Sequence, residues 1–271
     1  MADKALKLRG RWVLVTGASA GLGRELALQL ARDHGAHLIL MARRQALLES
    51  LAEEVTSTYG VQAVPLVADL CEPARCEALL EEITRERPLA AAVLNAGITH
   101  YGDALDLSGD ALNALIHTNV TSLVTLAGAI ARRFKETSEP GALLLVSSVG
   151  GFLPLPYQAA YAGSKAFVTH YGLALGVELA GTGISVTVFA AGGMPTDLVE
   201  KSGLGRKFKA DQLGMMPVPK AARMALQAMC RRESLRVPGV MNQALAFVTR
   251  LVPRRFMAAR AGDLYRPLPP G

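Results

Sequence analysis

A chain of 271 residues with 51% hydrophobic and 19% charged letters can bury a sizeable core, and this composition excludes a disordered, collagenous or low-complexity protein. The formal net charge of +6 lies wholly after residue 230, where eight arginines face only Glu233 and Asp263; no basic-aromatic interleaving or recognisable module accompanies them, so no nucleic-acid partner is expected. Cys71, Cys76 and Cys230 are an odd set that completes neither a disulfide framework nor a metal-ligand pattern, so they are read as structural thiols and no metal is expected.

Residues 1–10 lack the apolar stretch of a secretory leader, and no run approaches ~18 uninterrupted apolar residues, which leads to the expectation of a cytoplasmic protein. The first apolar, β-branched run, 11–16 (RWVLVT), ends in glycines, and over 24–33 Leu26, Ala27, Leu30 and Ala31 recur at helical spacing. Strand, tight turn and helix follow one another. The turn, Thr16-Gly-Ala-Ser-Ala-Gly-Leu-Gly23, has its glycines at 17, 21 and 23. Such glycines let the backbone approach a pyrophosphate, whose charge the N–H groups and positive dipole at the helix start then meet. The next strand, 37–42 (HLILMA), ends in Ala42, where a site preferring NAD carries a carboxylate for the adenosine ribose; Arg43 and Arg44 follow instead. Cations at a helix start are poorly placed unless an anion binds there, so Arg43, with Arg44 sharing, is expected to grip the 2′-phosphate of NADP(H).

The alternation continues: a helix over 43–60, a strand over 61–70 (VQAVPLVADL), a helix over 74–86, then apolar runs at 90–97, 142–148 and 184–192 separated by helical segments around 109–135 and 157–180. Strands that are apolar throughout, each followed by a helix, indicate a parallel sheet covered on both faces. The expected fold is α/β, a doubly wound Rossmann-type sheet in one domain (1–238), with a ligand crevice at the carboxyl ends of the strands and a C-terminal helical extension (239–271).

Tyr161 and Lys165 stand four apart in a helical stretch and share one face. A nearby ammonium stabilises phenolate and lowers a phenol pKa, which suits proton exchange. Ser147 and Ser148 close the run ALLLVSS, so hydroxyls reach a strand's carboxyl end, where one of them can meet a substrate oxygen as charge develops on it.

With Thr16 to Gly23, Asp69, Asn95-Ala96-Gly97, Asn119, Ser148, the Tyr161/Lys165 pair, Gly192 and Thr196 in this order, the chain resembles the short-chain dehydrogenases/reductases over nearly its whole length. Within that family the segments 41–54 (MARRQALLESLAEE) and 236–256 (RVPGVMNQALAFVTRLVPRRF) look like those of a bacterial subgroup related to hydroxysteroid dehydrogenases and ketoacyl reductases. The resemblance implies that Ser148 positions the carbonyl, Tyr161 exchanges the proton, Lys165 binds the nicotinamide ribose and tunes Tyr161, and Asn119 supports a water relay. It also implies a cofactor bed formed by Gly17, Ser19, Gly21, Leu22, Gly23, Arg43, Arg44, Asp69, Asn95, Ala96, Gly97, Gly192 and Thr196 together with Tyr161 and Lys165. Leu94 and Ala191 depart from the family's usual Asn and Pro without removing a catalytic group.

The activity so implied is NADP-dependent hydride transfer between nicotinamide and the carbonyl or alcohol carbon of an apolar substrate, by a homodimer or homotetramer. The alternatives are an epimerase that retains its nicotinamide and a non-enzymatic dinucleotide sensor; an intact Ser148/Tyr161/Lys165 set argues against the sensor. Tyr157 is read as a substrate-lining or packing residue; His100 and Tyr101, just after the Asn95 turn, are within reach of the pocket, and the lone His100 is read as structural. Residues 197–220, glycine-bearing and rich in Leu and Met, are read as a lid over a greasy ligand. In the extension, Val240, Met241, Ala244, Leu245, Val248, Leu251 and Val252 recur at helical spacing up to Pro253, with Arg250, Arg254, Arg255 and Arg260 nearby. Packing on its own domain or a sister subunit is the favoured use of this face, and weak contact with an anionic membrane surface is the other.

Overall fold

The computed structural model describes residues 6–208 and 215–267. The readings placed on 1–5, on 209–214 of the lid and on 268–271 lie outside the described residues.

Along the chain run β1 (Trp12–Thr16), α1 (Gly21–His34), β2 (His37–Ala42), α2 (Gln45–Tyr59), β3 (Ala63–Val67), α3 (Pro73–Thr84) and β4 (Leu89–Leu94). There follow α4 (Gly109–Ile116), a π-helical turn (His117–Thr121), α5 (Ser122–Glu136), β5 (Gly141–Ser148), α6 (Ala159–Glu178) and β6 (Ile184–Ala191). The last elements are α7 (Asp197–Lys201), α8 (Val218–Cys230), β7 (Leu235–Arg236), α9 (Val240–Val248) and α10 (Arg254–Tyr265). The strands form one parallel sheet in the order β3-β2-β1-β4-β5-β6-β7, the doubly wound Rossmann-type α/β arrangement expected. Strand order reverses between β1 and β4, and the crevice opens at their carboxyl ends, beyond Thr16 and Leu94.

The unbroken apolar runs are explained by what lies on either face. Val13 and Val15 of β1, with Leu38 and Leu40 of β2, enter one core under α1, α2 and α8. The intervening Leu14, Ile39 and Met41 enter a second core under α3, α5 and α6. Side chains alternate, but both faces are dry, so no polar alternation survives. Pro65 pairs beside Leu40 in β3, the edge strand, where its missing N–H costs no ladder bond.

The continuous helical stretch Gly109–Glu136 is long and apolar enough to cross a membrane by length and composition. Its residues Leu123, Leu126, Ile130 and Phe134 are instead buried against the sheet. The extension differs from the single helix expected up to Pro253: Pro253 caps the start of α10, and α9 ends five residues earlier, at Val248. Proline fixes φ and lacks an N–H, so it opens a helix more readily than it closes one in mid-run.

Candidate active site

The glycine turn is shaped by steric necessity. Gly17 has φ +68°, and a Cβ on Gly23 would collide with the Gly17 carbonyl oxygen and approach the Asn95 amide. Only glycines let α1 start this close to the end of β1. Ala20 caps α1 without a side-chain hydrogen bond, and the first turn holds no acid, so the N-terminal amides and the positive end of the dipole face the crevice, as a pyrophosphate requires. Leu22 contributes only backbone there, because its side chain is buried in the core.

Asn95 stitches the turn to β4. Its amide nitrogen donates to the Thr16 carbonyl (3.0 Å), and Thr16 Oγ1 accepts from the backbone N–H groups of Asn95 (3.0 Å) and Ala96 (3.1 Å). A Cβ on Gly21 would touch the Thr196 side chain at 3.6 Å, so Thr196, the N-cap of α7, lies against the glycine turn. A Cβ on Gly97 would meet Lys165 Nζ at 3.2 Å and Asn119 Oδ1 at 3.3 Å, and one on Gly192 would overlap the Asn242 amide of α9. A side chain is thus blocked outright at Gly192, crowded at Gly97 and disfavoured at Gly21 by its φ of +54° rather than by contact.

The two arginines divide. Arg44, the N-cap of α2, donates from Nη2 and Nε to Ser19 Oγ (2.9 and 3.2 Å) and stands over the glycine turn. Arg43 pairs at 3.8 Å with Asp69, whose Oδ1 accepts from the Cys71 N–H. The expectation placed Arg43 foremost at a 2′-phosphate; in the structure Arg44 is the arginine joined to the turn. Burial, with Asp69 and Glu72 nearby, pushes the Cys76 thiol up to about 11, in keeping with a structural thiol.

The four residues expected to do chemistry converge where β4, β5, the π-turn and α6 meet. Asn119 is fully buried, with Oδ1 accepting from the Ile98 N–H (2.8 Å) and Nδ2 donating to the Ile98 carbonyl (2.9 Å) and to Ser164 Oγ (3.0 Å). Lys165 Nζ donates to the Val146 carbonyl (2.9 Å) and lies 5.9 Å from the centre of the Tyr161 ring. Ser148 Oγ accepts from the Gly150 N–H (3.1 Å), and Gly150 lies against both this hydroxyl and the Tyr161 ring. Ser147 is committed elsewhere, bonded to the Lys165 carbonyl and Thr169 Oγ1 (both 2.7 Å).

The electrostatics correct one expectation. Burial raises the Tyr161 pKa above the ordinary 10.0, and the Ser148 hydroxyl offsets this only in part. Burial also lowers the Lys165 ammonium from 10.5 to about 8. Desolvation acts against the charged form of each group. The protonated phenol is thus the resting form at neutral pH.

A wall of the site comes from residues that carried no motif. Ala261 of α10 is buried with Leu155 and Ala162 beside the start of α6. Tyr265 packs its ring 4.9 Å from that of Phe208, at an interplanar angle of 49°, and its carbonyl accepts from the Tyr101 hydroxyl at 3.0 Å. Burial and the neighbouring phenols of Tyr161 and Tyr101 raise the Tyr265 pKa. A cavity of about 400 Å³ is lined by residues of the segment after β6, Pro195, Val199, Glu200, Arg206, Phe208 and Met215 among them. Tyr157 sits at φ +63°, strained for a non-glycine, with its carbonyl accepting from the Gly102 N–H (3.0 Å). His100 bonds the Asp103 carbonyl within its own loop (3.1 Å), as a structural histidine does.

Residues 11–207 match the family model of the short chain dehydrogenases. The very-long-chain 3-oxoacyl-CoA reductase of Lodderomyces elongisporus is 35% identical over 187 residues, covering 66% of this chain and 53% of that protein; the chain spans about half the length of the curated relatives it matches. Among solved structures, a short-chain dehydrogenase from Sphingobium yanoikuyae in complex with NADPH superposes with a TM-score of 0.78 at 30% identity, over 96% of this chain and 98% of that one. The bulky-bulky ketone specific alcohol dehydrogenase from Comamonas testosteroni superposes with a TM-score of 0.72 at 26% identity, over 95% and 99%. With the glycine turn, the Ser148/Tyr161/Lys165 constellation and a family match over most of its length, the chain belongs to the short-chain dehydrogenase family of oxidoreductases.

Proposed function

We propose that the protein is an NADPH-dependent reductase of bulky, apolar ketones, working through Ser148, Tyr161 and Lys165. The observation that carries the reading is the gathering of Ser148, the Tyr161 ring and Lys165 Nζ at the carboxyl end of β5, with Gly150 lying against both Ser148 Oγ and the Tyr161 ring and Nζ 5.9 Å from the ring centre. The glycine turn, the uncapped start of α1 and the Arg44/Ser19 pair fit a dinucleotide bearing a 2′-phosphate. When bound, the nicotinamide supplies the hydride.

The chain's own residues do the rest. Ser148 Oγ holds the substrate carbonyl oxygen beside the phenol and supports the charge that develops on it. Tyr161 donates its proton to that oxygen from the hydroxyl. Lys165, anchored by the Val146 carbonyl, would hold the ribose of a bound nicotinamide, and Asn119 holds the Ile98 backbone. Leu153, Leu155, Ala162 and Phe208, with the ring of Tyr265, exclude water and offer an apolar wall. The printed substrates of relatives, a very-long-chain 3-oxoacyl-CoA in one and a bulky ketone in another, agree with such a wall. Exposed Leu112 and Ile116 on α4 and Phe167 on α6, the last stacked at 6.0 Å on Tyr171, support a homo-oligomer formed through these helices.

Following NADPH absorbance against ketones graded by chain length and ring number tests the reading. Turnover should favour the bulkier apolar ketones over acetone-sized ones; NADPH consumption with none of them defeats it.

A further inference from the structure

α9 is an apolar helix, VMNQALAFV, with no buried residue. Val240 is 82% exposed, Phe247 61% and, in the turn that follows, Leu251 70%. An apolar run left in water is a standing free-energy cost unless a partner covers it. Its charge says which partner. From Val240 to the end of α10 at Tyr265 the chain holds Arg250, Arg254, Arg255 and Arg260 against the single acid Asp263, while Arg236 upstream is paired with Glu233. Arg260 lies 5.3 Å over the Phe256 ring, a cation held beside an exposed aromatic. A second copy of this chain would set like charges against each other, since a two-fold contact pairs a patch with itself. An anionic lipid headgroup layer above an acyl region complements both the arginines and the apolar side chains. At nine and twelve residues, α9 and α10 are well short of the ~20 a spanning helix needs, so they lie in the interface plane.

We infer that α9, the following turn and the exposed side of α10 form a docking surface for an anionic phospholipid bilayer. The inner side of α10 is already fastened to the site wall through Ala261 and Tyr265. Docking therefore brings the apolar wall of the pocket to the membrane surface, where a poorly soluble ligand is concentrated.

The test is vesicle sedimentation of the full-length protein without substrate or cofactor, so that its outcome is independent of the reductase reading. Vesicles of phosphatidylcholine alone are compared with vesicles containing about one third phosphatidylserine at about 0.15 M salt. The protein should pellet with the anionic vesicles only. At ~1 kcal/mol, or about fivefold, per arginine near the surface, Arg254→Glu/Arg255→Glu should weaken binding at least ~20-fold. Phe247→Glu/Leu251→Glu should abolish it, with the far-UV circular dichroism and urea midpoint of the wild type, since all four side chains are exposed. No binding, equal recovery on both vesicle types, or variants that bind like the wild type overturns the proposal. So does a vesicle-free sedimentation run in which Phe247→Glu/Leu251→Glu turns a dimer into a monomer, which would give the face to a second copy.

Discussion

Lys165 gives a hydrogen bond to the Val146 carbonyl, 2.9 Å away, and burial is what lowers its pKa. Folding lowers its pKa from 10.5 to about 8, so above pH 8 the unfolded chain binds the extra proton and the native state does not. Below pH 8 both states are protonated and the burial cost is constant. Between pH 8 and 10.5 this group's contribution to stability rises with pH, by on the order of 3 kcal/mol in full. Urea midpoints of cofactor-free wild type and Lys165→Met should diverge in favour of wild type from pH 7 to 9.5. Parallel profiles would show that Lys165 is not held against its charge.

Tyr161→Phe keeps the ring and removes the transferable proton. Loss of general acid catalysis is worth ~10² to 10⁴ in kcat, while NADPH binding by fluorescence titration should stay within a few-fold. A variant with most of the wild-type kcat would transfer the proton role to another group.

The two neighbouring serines should separate cleanly. Ser148→Ala removes the hydroxyl that meets Tyr161, and should lower kcat by ~10² or more with little change in melting. Ser147→Ala breaks buried bonds to the Lys165 carbonyl and Thr169, and should cost about 1–3 kcal/mol in urea unfolding with kcat changed by less than ~tenfold, a margin far below that of proton-transfer loss. The reverse pattern would exchange their assignments.

Cofactor choice should rest on Arg44 before Arg43, because Arg44 is the one bonded to Ser19 at the turn while Arg43 leans on Asp69. A charge-assisted contact to phosphate contributes ~1.5 to 3 kcal/mol, or roughly tenfold to a hundredfold. Arg44→Ala should raise the NADPH dissociation constant by that factor and leave NADH unchanged; Arg43→Ala should do less, and added salt should narrow the preference. Equal wild-type affinities for NADH and NADPH would falsify the 2′-phosphate assignment.

Tyr265→Ala removes the ring from Phe208 but keeps the backbone carbonyl that Tyr101 holds. KM for bulky ketones should rise about fivefold or more, as loss of ~1 kcal/mol of aromatic contact implies, with KM for small ketones and kcat little altered. Tyr265→Phe should behave as wild type. A uniform fall in kcat for every ketone would instead make Tyr265 part of the proton-transfer apparatus.

The first six strands and the helices between them could be read from apolar runs, because a sheet covered on both faces leaves no polar interruption to confuse the period. β7 has two residues, too few for any pattern. The Tyr101–Tyr265 bond joins positions 164 apart, and periodicity carries no information across that distance. Arg43 and Arg44 are adjacent, so only backbone direction at the α2 cap separates their roles. The Tyr161/Lys165 spacing was plain, but the sign of the phenol's shift depended on burial, which a four-residue interval does not encode.

The π-helical turn at His117–Thr121 holds one residue more than an α-turn, so α4 and α5 are out of phase by about 100°. Chain length at this turn is therefore constrained independently of residue identity. Removing Thr118 would heal the helical ladder, yet either α4 would swing away from α6 or Asn119 would leave Ile98. The sheet and α5 would survive such a deletion with normal far-UV dichroism, and turnover would not. Natural insertions and deletions in related chains should fall in the loops after β4 and β6 and spare this turn.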